Sequence, residues 1–194
     1  MARKTRAAKD RLTPEDWAHA ALRAIAKDGI KAVAVEPLAK QLGVTKGSFY
    51  WHFKNRDELI RSAVTLWEDL GDQAITTHLE SIENPRMRLR ALFYAAFDPK
   101  NAHALLHHLA SSRNSPLIGP VLERVTARRI TSLTEMYQDC GLERAIAHQR
   151  ALVAYATYVG MFQIRATAPE ATPSASASNA FIQHLVDTLV PIPD

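Results

Sequence analysis

The sequence predicts an all-α protein, with an N-terminal three-helix helix-turn-helix head followed by a larger helical body. Apolar residues recur three and four positions apart along nearly all of the 194 residues, which is the spacing of amphipathic helices. No stretch combines strict alternation with turn dipeptides, so we expect no strands. Two short helical patterns meet at a glycine-containing turn near residue 43, which is typical of a helix-turn-helix motif.

Composition and charge divide the chain into three parts. Residues 1–11 lack an apolar pattern and are rich in Lys and Arg, so we expect a disordered basic arm. Residues 12–56 form the predicted helix-turn-helix head, and residues 57–194 the predicted helical body. Residues 1–56 hold twelve Lys or Arg against five Asp or Glu, a net +7, whereas the remainder holds twelve against fifteen, a net −3. A basic head favours a polyanionic partner, because each neutralised phosphate releases counterions; a basic solvated face is the alternative.

The first helix has a well-marked start and end. Thr13 is a favoured N-cap, Pro14 suits the first helical position, and Asp16 stands where the acid of a capping box belongs. Gly29 is a helix stop. These signals predict a helix between residues 13 and 29.

Helices two and three form the predicted motif. The second should cover residues 35–42 and end at Gly43, and the third should begin after Thr45. Phe49 and Phe53 are four residues apart, so both should face the core of the head.

A fourth helix should begin after Asn55 and run to about Ile82, and helical periodicity continues beyond Pro85. The segment 166–178 is low in sequence complexity, which predicts a flexible loop. The remaining helices are expected near residues 86–97, 102–110, 116–139, 142–166 and 178–190.

The third helix opens with small and polar residues, as a helix that enters the major groove requires. Lys46 and Ser48 are placed to contact bases, and Gly47 lets the backbone approach a phosphate. For Trp51 there are two alternatives, contact with a thymine methyl and contact with the sugar backbone. The full predicted DNA-binding set is Thr45, Lys46, Gly47, Ser48, Tyr50, Trp51, His52, Lys54 and Arg56, of which Tyr50, His52, Lys54 and Arg56 should donate to phosphates.

Residues 38–59 read LAKQLGVTKGSFYWHFKNRDEL and resemble the tetracycline-repressor-like (TetR) family of bacterial transcriptional regulators. The resemblance implies a homodimer that joins through its last two helices, binds a double-stranded, pseudo-palindromic operator and represses transcription. It also implies that residues 12–56 are a DNA-binding domain and residues 57–194 an effector-binding and dimerisation domain. A small-molecule effector, which the sequence does not identify, would enter the body and release the DNA. By matched position it supports the predicted DNA-facing residues other than Lys54.

The start of the second helix departs from the family pattern, which has a hydroxyl residue and often a basic one. Here the positions hold Ala34, Val35 and Glu36, so fewer phosphate contacts are expected from this helix. Glu36 is interpreted as a solvent-facing partner of the helix dipole, with acceptance from a cytosine amino group as the alternative.

The body contains aromatic residues of the kind that line apolar effector pockets, although ordinary core packing is the alternative for each of them. The candidate pocket residues are Phe93, Phe97, His107, Tyr137, Tyr155, Tyr158 and Phe162.

His103 and His107 are four residues apart, with His108 beside them, which suggests a metal site. A zinc site needs a third ligand and supporting residues, and neither an HExxH motif nor a cysteine pair supplies them. We therefore predict no metal and no cofactor, and interpret these histidines as surface or hydrogen-bonded core residues, with a ligand contact left open.

Small and large apolar residues alternate around the helix near residues 151–162, and the last helix carries an apolar stripe. A four-helix dimer interface is the hypothesis, and intramolecular packing the alternative. The stripe consists of Phe181, Ile182, Leu185, Val186 and Leu189.

Other function classes are disfavoured. No apolar run approaches a membrane span, and the basic N-terminus lacks the apolar segment of a secretion signal, so we expect a cytoplasmic protein without membrane contact. Cys140 has no partner for a disulfide. An enzyme with a DNA-docking head is disfavoured because no nucleophile–base pair, paired carboxylates or phosphate-binding glycine loop is present. An architectural DNA binder without an effector remains a further alternative.

Overall fold

Nine helices and two short 3₁₀ turns make up the described part of the computed structural model, which comprises residues 12–98, 104–174 and 177–191, and no strand occurs in these ranges. The predicted basic arm, residues 1–11, and His103 lie outside the described residues. The 3₁₀ turns cover Ile30–Ala32 and Pro169–Ala171. The helices are α1 (Pro14–Asp28), α2 (Val35–Leu42), α3 (Lys46–Tyr50), α4 (Arg56–Leu79), α5 (Pro85–Phe97), α6 (Ala104–Ser111), α7 (Gly119–Asp139), α8 (Arg144–Thr167) and α9 (Ser178–Leu189).

Local signals account for both ends of α1. The Asp16 amide donates to the Thr13 hydroxyl at 3.2 Å, and the Thr13 amide donates to the Asp16 carboxylate at 2.7 Å, which completes the predicted capping box. Gly29 has φ +78°, a value that favours glycine, and its amide donates to the Ile25 carbonyl at 2.9 Å. The predicted start and end of α1 are confirmed.

The head has an aromatic core in which α3 is anchored to α1. Phe49 and Trp17 are fully buried and meet edge to face, with ring centroids 5.4 Å apart, and Phe53 stacks on Phe49 at 5.5 Å. Leu109 of α6 and Ile118, just before α7, belong to the same buried cluster. The core of the head therefore continues across the predicted boundary at residue 56 into the body.

A second core joins α5, α7, α8 and α9. It corrects the prediction for the last helix: Ile182, Leu185, Val186 and Leu189 are buried against their own chain, because α9 turns its apolar stripe towards α5 and α7. Phe181 is partly buried in the same cluster. The stripe is therefore used for intramolecular packing and is not free to meet a second subunit.

Apolar side chains on the outer face of α8 remain exposed. Val153, Val159 and Ile164 recur along the helix, with Val153 55% exposed, and Gly160 lies among them with open space where a Cβ would stand. Leu152 is exposed beside them.

Ion pairs tie the long helix α4 to α7. The nearly buried carboxylate of Glu68 accepts hydrogen bonds from Arg124 at 2.9 and 2.5 Å and from Arg128 at 2.8 Å. On the neighbouring turn, the Arg129 guanidinium lies 5.3 Å from the centre of the Trp67 ring.

Several predicted helix bounds differ from those observed. The helix predicted from residue 116 begins at Gly119, and α4 ends at Leu79 instead of about Ile82. Asn84 accepts from the Met87 amide at 3.1 Å, so α5 begins at Pro85 with its own cap. Part of the predicted loop 166–178 belongs to the end of α8 and the second 3₁₀ turn. None of the helices in the described ranges has the length and apolar character needed to cross a bilayer.

Candidate nucleic-acid interface

The short helix α3 packs one face on the core of the head and exposes the opposite face. Phe49, its only fully buried residue, fixes the helix on the core, and Phe53 follows one turn later, its amide donating to the Phe49 carbonyl at 3.0 Å. Tyr50 and Trp51, two of the three residues between them, are 57% and 84% exposed. Burying a tryptophan is normally favourable, so its exposure makes this surface a candidate for contact with a partner.

Thr45 and Gly47 leave open space at the start of α3. Thr45 occupies the N-cap position, yet its hydroxyl makes no capping hydrogen bond. A Cβ at Gly47 would make only an ordinary 3.6 Å contact with the Thr45 hydroxyl, and the φ of Gly47 is not positive. A helical glycine costs about 0.5–1 kcal/mol relative to alanine, and nothing inside the head requires one here.

Lys46 is paired with α2. Its ammonium lies 2.8 Å from Oε1 of Glu36, and both side chains are exposed. The hydrogen bond between them raises the pKa of Lys46 and lowers the pKa of Glu36. The sequence reasoning missed this pair, because the two residues are ten positions apart and meet only when α2 and α3 pack together.

Arg56 has a structural role that the phosphate assignment did not include. Its Nε donates to the Val33 carbonyl and its Nη2 to the Ile30 carbonyl, both at 2.6 Å. These bonds join the start of α4 to the first 3₁₀ turn, which the sequence pattern did not predict. The remaining nitrogen, Nη1, is 3.9 Å from Asp57. Two nitrogens of the guanidinium are therefore engaged within the head, so Arg56 has a structural role beside the phosphate contact that the sequence predicts for it.

The other predicted DNA-binding residues lie around α3. Ser48 and His52 are half-buried, and His52 packs its ring 6.4 Å from that of Phe53. Lys54 exposes its side chain, while its amide donates to Glu58 at 2.6 Å. The exposed residues of α3 and its flanks are together called the α3 surface: Thr45, Lys46, Gly47, Tyr50, Trp51 and Lys54.

Four of the predicted pocket residues form one aromatic cluster in the body. The ring of Tyr158 lies 6.0 Å from Phe97, 6.1 Å from Tyr155 and 4.5 Å from Phe162. Burial raises the pKa of Tyr158, so its phenol stays neutral. The Tyr155 hydroxyl is 3.2 Å from that of Thr126.

The remaining three candidates lie elsewhere. Phe93 is buried in the second core, as is Tyr137, whose hydroxyl donates to the Leu189 carbonyl at 2.9 Å. His107 is half-buried on α6 beside His108, 5.6 Å between ring centres. No group of three metal-ligating residues occurs among the described residues.

One cleft of the body contacts the aromatic cluster. It lies between the ends of α5 and α8 and the start of α9, is partly open to solvent, and has about 10 Å³ of free space, roughly that of one water molecule. Phe97 and Phe162 line it, while Phe93, His107, Tyr137, Tyr155 and Tyr158 do not.

The comparisons with known proteins agree with this geometry. Residues 18–63 match the family described as bacterial regulatory proteins, tetR family. The HTH-type transcriptional regulator AcrR of Shigella flexneri is 35% identical over 68 residues, which cover 35% of this chain and 30% of that protein. The HTH-type transcriptional regulator TtgR of Pseudomonas putida is 29% identical over 97 residues, which cover 46% of each. The chain thus spans 30% to 46% of the length of these two relatives.

The fold extends the likeness beyond the head. The crystal structure of E. coli NemR in its reduced form superposes with a TM-score of 0.76 at 18% identity, over 93% of this chain and 99% of that one. The likeness at this identity is one of fold. Residues 18–63 are thus similar in sequence to the TetR family of bacterial regulatory proteins, and the fold of the chain is similar to that of NemR.

Proposed function

We propose that this protein is a sequence-specific DNA-binding transcriptional regulator that represses its target genes and releases a palindromic operator when a small molecule binds its body. The observation that carries the proposal is the α3 surface, on which Tyr50 and Trp51 are exposed directly above the buried Phe49. A rigidly anchored helix with polar and aromatic side chains on its outer face fits the major groove.

The arrangement of the α3 surface supports two kinds of DNA contact. The uncapped Thr45 and the open space at Gly47 suit close approach of a phosphate, and Lys54 adds an exposed cation nearby. Lys46 is the candidate base reader, because an ammonium can bind the O6 and N7 acceptors of guanine. Trp51 is the candidate for apolar contact, with a thymine methyl or with the sugar backbone.

A homodimer is part of the proposal, because a palindrome is read by two symmetry-related heads. The outer face of α8 with Val153, Val159 and Ile164 supports a subunit interface, and the open position at Gly160 allows close helix approach. From α9, only residues outside its buried stripe remain to take part. In such a dimer, an effector that changes the distance between the two heads would prevent them from entering successive major grooves of the operator together.

Regulation requires only modest coupling. A coupling free energy of about 1–3 kcal/mol between effector and operator would change DNA affinity roughly 5- to 150-fold. The predicted division at residue 56 is retained as a functional one, with DNA contacts before it and effector and dimer contacts after it. As a regulator of bacterial genes the protein would act in the cytoplasm, where the chromosome lies.

The proposed function is tested by selecting bound duplexes from a random DNA pool with the purified full-length protein. We expect enrichment of an inverted repeat whose half-sites lie about one helical turn apart. Enrichment of a single half-site would contradict the dimeric reading, and failure to enrich any sequence would contradict specific recognition.

The subunit interface has a separate test. Val153→Glu should convert the dimer to a monomer in analytical ultracentrifugation, because it places a charge in an apolar contact. Met87→Glu is the matched control, since Met87 of α5 is equally exposed at 54% and lies outside the proposed interface. A wild-type monomer at micromolar concentration, or dissociation by both variants alike, would contradict the interface.

A further inference from the structure

An exposed acid stands beside the α3 surface. Glu36 is the second residue of α2, its side chain is 72% exposed, and its carboxylate contacts Lys46, the first residue of α3. A carboxylate at a surface that binds DNA repels the phosphates, so it lowers the affinity for every duplex unless it gains a contact of its own. The position of Glu36 therefore calls for a hydrogen-bond donor on the DNA.

The carboxylate of Glu36 has one oxygen to spare. Oε1 accepts from the Lys46 ammonium at 2.8 Å, and Oε2 accepts no hydrogen bond from the residues that the structure describes. Glu36 does not cap its own helix, since the N-cap residue Ala34 has no side-chain hydrogen bond and Pro37 has no N–H to donate. Exposed ion pairs add little to stability, so the fold gains little from this one.

The ammonium and the carboxylate together match the edge of one base pair. In the major groove an ammonium can only donate and a carboxylate can only accept. A G·C pair presents two neighbouring acceptors, N7 and O6 of guanine, followed by the N4 amino group of cytosine. In an A·T pair the amino group lies between two acceptors, so an ammonium finds only one of them beside the donor.

The spacing of the two side chains fits the same base pair. Guanine O6 and cytosine N4 are joined by a Watson–Crick hydrogen bond of about 2.9 Å. Nζ of Lys46 and Oε1 of Glu36 are 2.8 Å apart, so the ion pair can remain intact while each partner contacts one base. Lys46 then reaches guanine without losing its partner in the free protein.

We infer that Glu36 is a specificity-determining residue, which with Lys46 recognises one G·C base pair in each half-site. Lys46 donates to O6 and N7 of the guanine, and Glu36 accepts from the N4 amino group of the paired cytosine. The inference rests on the proposed function, because it requires the α3 surface to lie in the major groove.

Glu36 also has a role that needs no DNA, because an acid in the first turn of a helix interacts favourably with the helix dipole. Glu15 has that role alone. It is the second residue of α1, it is exposed, and its carboxylate lies 3.6 Å from His19 of its own helix. The two roles differ in their consequences, since only the base contact gives a preference for one base pair.

The first test compares the operator selected from the random pool with all its single-base-pair variants, by competition fluorescence anisotropy of the full-length protein. The wild type should prefer one G·C pair in each half-site over the other three pairs by about 5- to 150-fold. Glu36→Ala and Lys46→Ala should each reduce the preference at this pair at least threefold and leave the other positions unchanged. A ratio of affinities is used because it cancels the general gain from removing an acid.

Two further variants are the controls. Glu36→Gln should retain part of the preference, because its amide oxygen still accepts from the cytosine amino group. Glu15→Ala removes the same charge from the same position of α1 and should leave the preference unchanged.

The second test deletes the amino group from the DNA instead of the carboxylate from the protein. Replacing the cytosine of this pair by 2-pyrimidinone should weaken binding to the wild type at least threefold more than binding to Glu36→Ala, because the variant has already lost the contact. Comparing the two proteins cancels the cost of the weakened base pair. Replacing the guanine by inosine deletes only a minor-groove amino group and should affect both proteins alike.

An operator without such a G·C pair, an unchanged preference in Glu36→Ala, or an equal effect of 2-pyrimidinone on both proteins would each overturn the inference. Selection of an operator whose base preferences all survive in Glu36→Ala would leave the proposed function standing. Failure to select any sequence would contradict the proposed function, and the inference with it.

Discussion

The ammonium of Lys46 lies 2.8 Å from the carboxylate of Glu36, so the first residue of α3 is held by α2 across the turn of the motif. Because both side chains are exposed, a base edge or phosphate can reach the pair. In the free protein Lys46 therefore has a partner that DNA would have to replace or share under the proposed function, and Glu36 would then belong to the recognition surface.

Substitutions of Lys46 and Glu36 should distinguish sequence-specific base contacts from non-specific electrostatic attraction to DNA. Lys46→Ala should weaken operator binding roughly 5- to 150-fold and change binding to random DNA much less, because a base contact is lost. Glu36→Gln should strengthen binding to all duplexes roughly two- to fivefold, because an acid is removed from the DNA-facing side. Fluorescence anisotropy with operator and scrambled duplexes measures both. An equal loss on the two duplexes in Lys46→Ala would remove the base-reading role.

Arg56 and Lys54 should respond in opposite ways, although the sequence predicted phosphate contacts for both. Arg56→Ala removes two hydrogen bonds to the carbonyls of Ile30 and Val33, so the free energy of unfolding should fall by about 1–3 kcal/mol in urea denaturation. Arg56→Lys should not restore it, because an ammonium does not reproduce the planar fork. Lys54→Ala should leave stability unchanged and reduce the salt slope of DNA binding by about one. An Arg56→Ala protein of unchanged stability and with a reduced salt slope of DNA binding would contradict the structural role and favour a phosphate contact.

Gly47→Ala should improve stability and impair function. The added methyl group meets only the Thr45 hydroxyl at an ordinary distance, so the free energy of unfolding should rise by about 0.5–1 kcal/mol. DNA affinity should fall at least tenfold, because the methyl group occupies the space left for the DNA backbone.

The control for this variant is Gly43→Ala at the end of α2. Its φ of +70° disfavours any side chain, so it should lose stability where Gly47→Ala gains it. Undiminished DNA affinity in Gly47→Ala would show that the open space serves no partner.

Glu68 should make stability depend on pH. Hydrogen bonds from Arg124, with those from Arg128, lower the pKa of Glu68 in the folded protein. Its contribution is therefore present above the ordinary glutamate pKa and is lost as the pH falls below about 4.5 through the lowered value. Glu68→Gln should reduce the free energy of unfolding at neutral pH by about 1–3 kcal/mol, moderated by the partial exposure of both arginines, and should flatten the acid limb.

Chemical denaturation at fixed protein concentration across the acidic range checks this dependence. Glu123→Gln is the control, because Glu123 is an exposed acid on the same helix as Arg124. Identical acid limbs in wild type and Glu68→Gln would contradict the assignment.

Local chemistry explains what the sequence predicted well. The capping box of Thr13 and Asp16 involves residues three apart, and the stop at Gly43 depends on one backbone angle, so neither requires knowledge of the fold. The anchoring of Phe49 and Phe53 follows from helical spacing and is confirmed by their burial.

Contacts between segments that are distant in the sequence could not be predicted in the same way. The bonds of Arg56 reach carbonyls 23 and 26 residues away, and nothing in their local sequence marks them as acceptors. The stripe of α9 shows the same limit: periodicity identified Val186 and Leu189 as an inner face but not whether that face meets its own chain or a second one. Among the pocket candidates, aromatic character alone did not separate Phe162, which lines the cleft, from Tyr137, which fills the core.

The central claim is that the α3 surface recognises a defined DNA sequence. The most direct measurement is the ratio of dissociation constants for a scrambled duplex and for the selected operator, at a fixed salt concentration near physiological ionic strength. We predict a ratio of about 10³ or more, as sequence-specific regulators show. A ratio near one, with the same salt dependence for both duplexes, would contradict the account, because the basic head would then bind DNA through charge alone.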